Sequence, residues 1–174
     1  FFGVNDRSMR TFSVFGTTVH DLSGDELFTR LFDIRGLVVT PNPEILLAAR
    51  LHATYRDLLN RAALALPDGI ATVFAVAALY DVHDLHRHPG IDGIPMIATV
   101  AEQRGETLIV LGGYSEDHAA LYTRFHETHS TLRVLCIDPG LVTEDHPMLA
   151  SQHLDEIRAV GAAVVLVALG QGRG

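Results

Sequence analysis

The chain has 174 residues, of which 48% are hydrophobic and 20% are charged, so it is long enough for a soluble domain with a buried core. Its formal net charge of −8 argues against general nucleic-acid binding, which needs a basic surface, and we expect no nucleic-acid partner. All 13 basic residues are arginine, which excludes a Schiff-base lysine and a P-loop lysine. A phosphate group would have to bind arginine, backbone N–H groups or a helix N-terminus.

The single cysteine and the lengths of the apolar runs indicate the cellular compartment of the protein. Cys136 cannot form an internal disulfide, which fits a reducing cytoplasm, and its apolar neighbours predict a buried structural thiol. No apolar run reaches the roughly 18 residues typical of a membrane span. The N-terminal residues do not resemble a secretory signal. We therefore predict a cytoplasmic location.

Short apolar runs alternate with helical patterns along the chain. Strands are predicted at 12–19 (a strand or hairpin), 36–40, 61–66, 107–113, 132–138 and 162–170. Helices are predicted at 23–32, 42–60, 69–82, 94–105, 115–129 and 148–161. Ser23 and Asn42 are suited to be the N-caps of the first two helices. The segment 81–93 is the least regular and is predicted to be a loop.

Apolar strands that are each followed by a helix are typical of a parallel sheet covered on both faces. We therefore predict an α/β fold, a single Rossmann-like domain over residues 1–174 with a mostly parallel sheet of about six strands and helices on both faces. The helix at 69–82 is almost wholly apolar, so we expect it to be buried on most sides.

A polar residue or a glycine stands where several of the predicted strands end. These residues are Thr40, Asp68, Gly112, Asp138 and Gly170. In open α/β sheets the ligand binds outside the carboxyl ends of the strands, so we expect these residues to gather along one edge. Asp68 would then be a carboxylate at the rim of a cleft, with Gly69 allowing close approach of backbone or substrate.

Each of these motifs also has an ordinary structural interpretation. Asn42 in T-P-N-P-E can simply cap a helix, and P-D-G at 67–69 is a common turn. The pair Gly112 and Gly113 is a weak phosphate-loop signal, and the residues that follow do not fit the dinucleotide-binding pattern. A nicotinamide enzyme is therefore disfavoured.

Three histidines surround Arg87 in the predicted loop, at His83, His86 and His88. Histidine clusters can bind metal, but the irregular spacing and the absence of a nearby cysteine argue against a metal site here. No G-x-S-x-G motif is present, so an α/β-hydrolase is unsupported.

Taken in order, the motifs resemble those of the WecG/TagA/CpsF glycosyltransferases over about residues 13–174. Thr40, Asn42 and Glu44 match T-x-N-x-E, and Pro67, Asp68 and Gly69 match P-D-G. Arg87, Gly90 and Asp92 match R-x-x-G-x-D. The strand-end glycines match at Gly112 and Gly113, and the last strand matches at Leu169, Gly170 and Arg173. Each motif is weak alone, and their common order and spacing carry the resemblance.

The resemblance implies an inverting, metal-independent glycosyltransferase. Such an enzyme moves N-acetylmannosamine, its uronate or a related hexose from a UDP-sugar to a polyprenyl-diphosphate-linked saccharide, during synthesis of teichoic acid or another cell-surface polysaccharide. The UDP-sugar is a substrate, and no cofactor or metal is expected. The resemblance also implies peripheral membrane association at the cytoplasmic face and association into homo-oligomers.

Roles for individual residues follow from the same resemblance. Three residues are expected to be catalytic. Asp68 is the candidate general base, Arg87 would meet the departing diphosphate, and Thr40 would hydrogen-bond the donor sugar or order the site. The expected substrate-binding residues are Asn42, Gly69, Asp92, Gly112, Gly113, Gly170 and Gln171.

The end of the chain departs from the family pattern. Gly172 stands where the family has proline, and Gly174 stands where glutamine is expected. Family members usually continue into a C-terminal segment that helps to close the site and meet the membrane. We therefore expect the chain to be a catalytic core that lacks this tail.

Two other functions are compatible with the same sheet. One is a non-catalytic, Rossmann-like module that binds a nucleotide or sugar. The other is a different nucleotide-using enzyme such as a methyltransferase, which predicts binding of an adenosine cofactor and no preference for uridine.

Overall fold

The structure, a computed structural model, describes residues 9–140, 142, 151–161 and 163–169. The strands are β1 (Arg10–Val14), β2 (Thr17–Asp21), β3 (Val38–Val39), β4 (Leu64–Ala65), β5 (Thr107–Gly112), β6 (Arg133–Ile137) and β7 (Ala163–Ala168). The helices are α1 (Gly24–Asp33), α2 (Pro43–Leu51), α3 (Ala53–Asn60), α4 (Ile70–Tyr80), α5 (Gly90–Arg104), α6 (His118–Thr128) and α7 (Ser151–Val160), with a 3-10 turn at Ser115–Asp117.

The contacts divide the chain into two compact units, residues 1–94 and 95–174, which we call the N-terminal unit and the C-terminal unit. The α/β class and the parallel pairing of strands are confirmed. A single sheet of about six strands is not confirmed, because the described strands pair as an antiparallel hairpin, a parallel pair and a three-stranded parallel sheet. Among the described residues, no helix is both long and apolar enough to cross a lipid bilayer.

The N-terminal unit begins with the β1–β2 hairpin, in which Arg10 lies opposite Asp21. Its two-residue turn has positive φ at Phe15 (52°) and Gly16 (80°), as a type I′ turn requires. β3 then pairs in parallel with β4. One apolar cluster of this unit joins the hairpin, α2 and α4, and is made of Val14, Val19, Leu46 and Val76.

The predicted N-caps are both confirmed. Ser23 and Glu26 form a capping box at the start of α1, and Oδ1 of Asn42 accepts the N–H of Ile45 at 2.9 Å at the start of α2. The prediction of one helix over 42–60 was wrong, because His52 is extended (φ −120°, ψ 103°) and separates α2 from α3. No glycine or proline marks this break, so helical periodicity alone could not show it.

Two further expectations about the N-terminal unit were wrong. Only Thr72 and Val76 of α4 are buried, whereas Ile70 is 57% and Phe74 is 64% exposed, so the helix is not buried on most sides. An apolar composition shows only that burial is favourable, and in the structure one face of α4 packs against the hairpin and α2. The predicted loop 81–93 is also shorter than expected, because α5 begins at Gly90 despite the poor helix propensity of glycine.

The C-terminal unit contains a parallel sheet in the order β6–β5–β7, with Thr107 beside both Arg133 and Ala163. β5 is buried over almost its whole length, as its unbroken apolar sequence predicts. Residues of β5, β6 and α7 pack together in one apolar cluster, made of Ile109, Leu111, Ile137, Leu135, Ile157, Val160 and Leu169.

Candidate functional site

A single peptide group in the N-terminal unit is hydrogen-bonded on both sides. The N–H of Asp68 donates to the carbonyl of Pro41 at 3.2 Å, and the carbonyl of Pro67 accepts the N–H of His88 at 2.9 Å. The Asp68 N–H and the Pro67 carbonyl belong to the same planar peptide unit, so the two bonds are held in fixed relation to each other.

These two bonds bring together the polar residues of three separate motifs. Asn42 directly follows Pro41, and Arg87 directly precedes His88, so both lie one residue from a hydrogen bond to the Asp68 peptide. The segments that carry Asn42, Asp68 and Arg87 are therefore neighbours in space, although they are well separated in sequence.

The backbone around Thr40 continues the pairing of β3 with β4. The N–H of Leu66 donates to the carbonyl of Val39 at 2.8 Å, which extends the ladder beyond the two paired residues of each strand. Pro41 and Pro67, which follow Thr40 and Leu66, are both fully buried. Thr40 itself is half-buried, so it stands at the edge of this anchored segment.

Gly90 places the third motif directly against the first. A Cβ at this position would lie 3.0 Å from Oγ1 of Thr40, closer than side chains normally approach. Glycine is therefore favoured here by close packing. Asp92, two residues further on, is exposed in the first turn of α5.

Gly69 is explained by its backbone conformation instead. It precedes α4 with φ +80°, a left-handed value that suits glycine, and a Cβ there would meet nothing within 4 Å. The space beside Gly69 is therefore open, next to the half-buried Asp68.

The side chains of Asp68 and Arg87 differ in exposure. Asp68 is half-buried, whereas Arg87 is exposed on the loop before α5. Within the part of the chain that the structure describes, neither side chain takes part in a hydrogen bond or ion pair. The arrangement thus offers a carboxylate and a guanidinium whose backbones are fixed and whose charged groups remain available.

In the C-terminal unit, Gly112 and Gly113 stand at the end of β5 as predicted. Gly112 has φ +124°, and a Cβ there would lie 2.4 Å from the carbonyl oxygen of Ala168, so only glycine fits. An open cavity of about 370 Å³ lies beside the pair and is also lined by His118 and Arg124. His118 donates through Nε2 to the carbonyl of Gly112 at 3.1 Å.

Two other residues of the C-terminal unit lie on or beside β6. Asp138 follows β6 as predicted, and its carboxylate accepts the hydroxyl of Ser115 at 2.6 Å and the N–H of Gly140 at 2.9 Å. These bonds hold the pKa of Asp138 below its usual range. Cys136 is half-buried on β6, and burial raises the pKa of its thiol, which disfavours the nucleophilic thiolate.

Two predicted binding residues, Gly170 and Gln171, lie outside the described residues. Sequence reasoning also missed a residue that contacts the candidate site segments. Asp21 is buried at the end of β2 and accepts the backbone N–H of His86 at 2.8 Å. The available signal was an acid between the apolar residues Val19 and Leu22, where an unpaired buried charge would be costly.

The sequence model of the glycosyl transferase WecG/TagA/CpsF family matches residues 12–174, which include every motif described above. The chain belongs to this family. As a member of the WecG/TagA/CpsF family, it is a glycosyltransferase of cell-surface polysaccharide synthesis, with a sugar donor and an acceptor as substrates. A search of curated protein sequences finds no significant match.

Proposed function

We propose that this family member transfers a hexose from a UDP-sugar to a polyprenyl-diphosphate-linked saccharide, with N-acetylmannosamine, its uronate or a related sugar as the transferred group. The observation that carries the proposal is the doubly bonded peptide of Asp68. It keeps a half-buried carboxylate close to the segment of the exposed guanidinium of Arg87 and to the Thr40–Asn42 segment.

The proposed reaction inverts the anomeric carbon. The acceptor hydroxyl attacks that carbon from the face opposite UDP, and the new carbon–oxygen bond forms as the bond to the UDP oxygen breaks. Asp68 takes the proton of the attacking hydroxyl, which a carboxylate within about 3 Å can do with a contribution of roughly 10²–10⁴-fold.

The bonding electrons leave with the UDP oxygen, so negative charge grows on the diphosphate. We propose that Arg87 meets this charge, because a guanidinium binds phosphate oxygens through two parallel N–H groups. In this proposal the reaction is metal-independent, since the guanidinium supplies the positive charge.

Substrate binding is assigned to the other motif residues. Oδ1 of Asn42 is occupied by the helix cap, so its amide N–H groups are what remain to bind the donor sugar beside Thr40. For Gly69 the proposal is supported by the open space beside it. The family resemblance alone supports the assignments of Asp92, Gly112, Gly113, Gly170 and Gln171.

The test is turnover and UDP binding by the Asp68→Asn variant. We expect kcat for UDP release to fall roughly 10²–10⁴-fold while the Kd for UDP stays within about 3-fold, because the amide keeps the shape but cannot take a proton. Asp57→Asn, an exposed acid on α3, is the matched control and should change neither quantity. Retained turnover with lost UDP binding would contradict the assignment of Asp68 as base.

A panel of UDP-sugars with short-chain acceptor analogues identifies the donor and also tests the alternatives. UDP binding with no UDP release above buffer for any pair would support a non-catalytic binding module. Stabilisation by adenosine cofactors without any effect of uridine nucleotides would support a different nucleotide-using enzyme.

We also propose peripheral association with the cytoplasmic face of the membrane, where a lipid-linked acceptor would be found. Exposed apolar side chains on α4, such as Ile70 and Phe74, support it. Wild-type protein should float with phosphatidylethanolamine vesicles more than Phe74→Ser does, and equal flotation would count against the proposal. We further propose that copies of the chain associate into homo-oligomers, as the family resemblance implies. Sedimentation of the wild type without lipid tests this, and a monomeric mass would count against it.

A further inference from the structure

The carboxylate of Asp21 is buried, and both of its oxygens accept hydrogen bonds. Its side chain, at the end of β2, is only 3% exposed. Oδ2 accepts two N–H groups of Arg10, one of them Nε–H at 2.9 Å. Oδ1 accepts the backbone N–H of His86 at 2.8 Å, and Nδ1 of the same residue lies 3.1 Å away. A carboxylate this deeply buried is tolerated only because it is paired and hydrogen-bonded.

Arg10 extends these contacts to Asp84. Its Nη1–H donates to Oδ1 of Asp84 at 2.7 Å, and Nη2–H donates to the backbone carbonyl of Asp84 at 2.9 Å. Hydrogen bonds to Asp84 and Asp21 raise the pKa of Arg10, and the bond from Arg10 holds the pKa of Asp84 below its usual range. We call Arg10, Asp21, Asp84 and His86 the Asp21 network, and residues 82–89 the Arg87 loop.

The Arg87 loop is bonded at alternate residues. Asp84 binds Arg10, His86 binds Asp21, and His88 donates through Nε2 to the carbonyl of Leu22 at 2.7 Å. Arg87 lies between His86 and His88, and its own side chain is exposed. The bonds therefore fix the backbone on both sides of Arg87 and leave its guanidinium available.

Resting on the proposed function, in which Arg87 meets the diphosphate, we propose that Asp21 is a positioning residue. It binds the backbone of His86 and so determines where the neighbouring guanidinium of Arg87 meets the donor. The loop has no regular secondary structure to do this, whereas the hairpin that carries Asp21 is paired over five residues of each strand. Small displacements of a charge that contacts the reacting groups are costly for catalysis.

A double-mutant cycle on the full chain tests whether Asp21 acts through Arg87. Asp21→Asn should weaken UDP binding, measured by calorimetry, by about 10-fold in the wild-type background. In the Arg87→Ala background the same change should weaken UDP binding by less than about 2-fold, since the group that it positions is gone. Equal losses in both backgrounds would overturn the proposal and leave Asp21 as a purely structural residue.

Trypsin gives a readout of the loop that does not depend on activity. Arg87 is exposed and is followed by His88, so the bond after Arg87 is a potential cleavage site that a fixed loop protects. Asp21→Asn should raise cleavage after Arg87 several-fold relative to cleavage after Arg158 in the C-terminal unit. Unchanged cleavage after Arg87 would overturn the idea that the network holds the loop.

Glu102→Gln is the matched control. Glu102 accepts the N–H of Thr131 at 2.9 Å and its hydroxyl at 2.7 Å, so it is also an acid that binds a distant backbone. It holds no segment that bears a proposed site residue of the N-terminal unit. We expect its UDP affinity and its cleavage after Arg87 to equal those of the wild type, and a loss like that of Asp21→Asn would overturn the proposal.

A second variant keeps the test decisive if Asp21→Asn does not fold. Asp84 is 78% exposed, and Asp84→Ala removes the ion pair of Arg10 with this loop without opening the core. It should weaken UDP binding about 3-fold in the wild-type background and not in the Arg87→Ala background.

If Arg87→Ala alone binds UDP like the wild type, the assigned role of Arg87 fails and the positioning proposal fails with it. That outcome leaves the Asp68 test of the transferase reaction standing.

Discussion

The two units hold their strand-end residues by different means. In the C-terminal unit, β5 pairs with β6 over five residues and with β7 over six, so Gly112 stands at the end of a long ladder of backbone bonds. In the N-terminal unit, β3 and β4 pair over only two residues, and Asp68 is held by single bonds from two loops.

This difference indicates where the fold is robust and where the candidate site is sensitive. A ladder is cooperative, so one lost bond has little effect unless the strands themselves are forced apart. Single bonds to loops can be removed one at a time, and each removal moves a named residue. The N-terminal unit should therefore show changes in activity without unfolding, and the C-terminal unit should show the reverse.

The largest effect should come from forcing the ladder apart with Gly112→Ala. The added Cβ would lie 2.4 Å from the carbonyl oxygen of Ala168, and φ of +124° is strained for alanine, so we expect a loss of roughly 2–4 kcal/mol in the free energy of unfolding. Urea unfolding followed by circular dichroism measures it. Gly105→Ala is the control, because φ is +63° but nothing lies within 4 Å, and it should cost about 1 kcal/mol. Equal losses of unfolding free energy in the two variants would show that the close approach of the added Cβ to β7 does not destabilise the protein.

The next effect should appear in activity rather than stability, and it compares two glycines of α5. Gly90→Ala should reduce UDP release about 10-fold, because its Cβ would press on Oγ1 of Thr40 at 3.0 Å. Gly93→Ala meets nothing within 4 Å and should leave turnover unchanged while stabilising the protein by about 0.4–1 kcal/mol. Similar turnover in both variants would show that the close packing of Gly90 against Thr40 is not needed for turnover.

In both units, the features that the sequence predicts well are the local ones. Helix caps, the hairpin and the apolar strand β5 depend on neighbours in the chain, and Ser23, Asn42 and the residues of β5 all match their predictions. The strand-end rule also places Thr40 and Asp138 correctly, because it follows from alternation of strands and helices.

What the sequence could not predict is non-local. The bond from His86 to Asp21 joins residues 65 positions apart, and no periodicity marks it. The exposure of Phe74 depends on which elements cover α4, and its apolar sequence says only that burial is favourable. The approach of Gly90 to Thr40 likewise needs both segments to be placed first.

A smaller effect concerns the packing of the hairpin. Thr17 is fully buried on β2, and its hydroxyl has no hydrogen-bond partner among the described residues. Thr17→Val keeps the shape and removes the unsatisfied group, so the free energy of unfolding should rise by about 1 kcal/mol. Thr18→Val, at the half-buried neighbouring position, is the control and should change it less. A destabilised Thr17→Val would mean that the hydroxyl is satisfied by water.

The smallest effect should be a pH dependence of stability that arises from His20 in the N-terminal unit. His20 is buried on β2, and its Nδ1 accepts the N–H of Ala65 at 2.9 Å, which connects the hairpin to β4 and requires an unprotonated Nδ1. Burial, with a smaller contribution from the charge of Arg30, lowers the pKa of His20 in the folded protein. Below about pH 6.5 the unfolded chain therefore binds a proton at His20 more readily than the folded protein does. The contribution of His20 to the free energy of unfolding is thus present above that pH and is lost as the pH falls toward the folded pKa.

His20→Asn separates this contribution from all the others, because the asparagine Oδ1 can accept the same bond and cannot titrate. Between about pH 7.5 and about pH 5.5, the free energy of unfolding should fall less in His20→Asn than in the wild type. His83→Asn, which changes an 81% exposed histidine, should retain the wild-type dependence. Parallel pH profiles for wild type and His20→Asn would show that neither burial nor the bond to Ala65 opposes protonation of His20 in the folded protein. The single bonds of the N-terminal unit would then be less sensitive than their contrast with the β5 ladder implies.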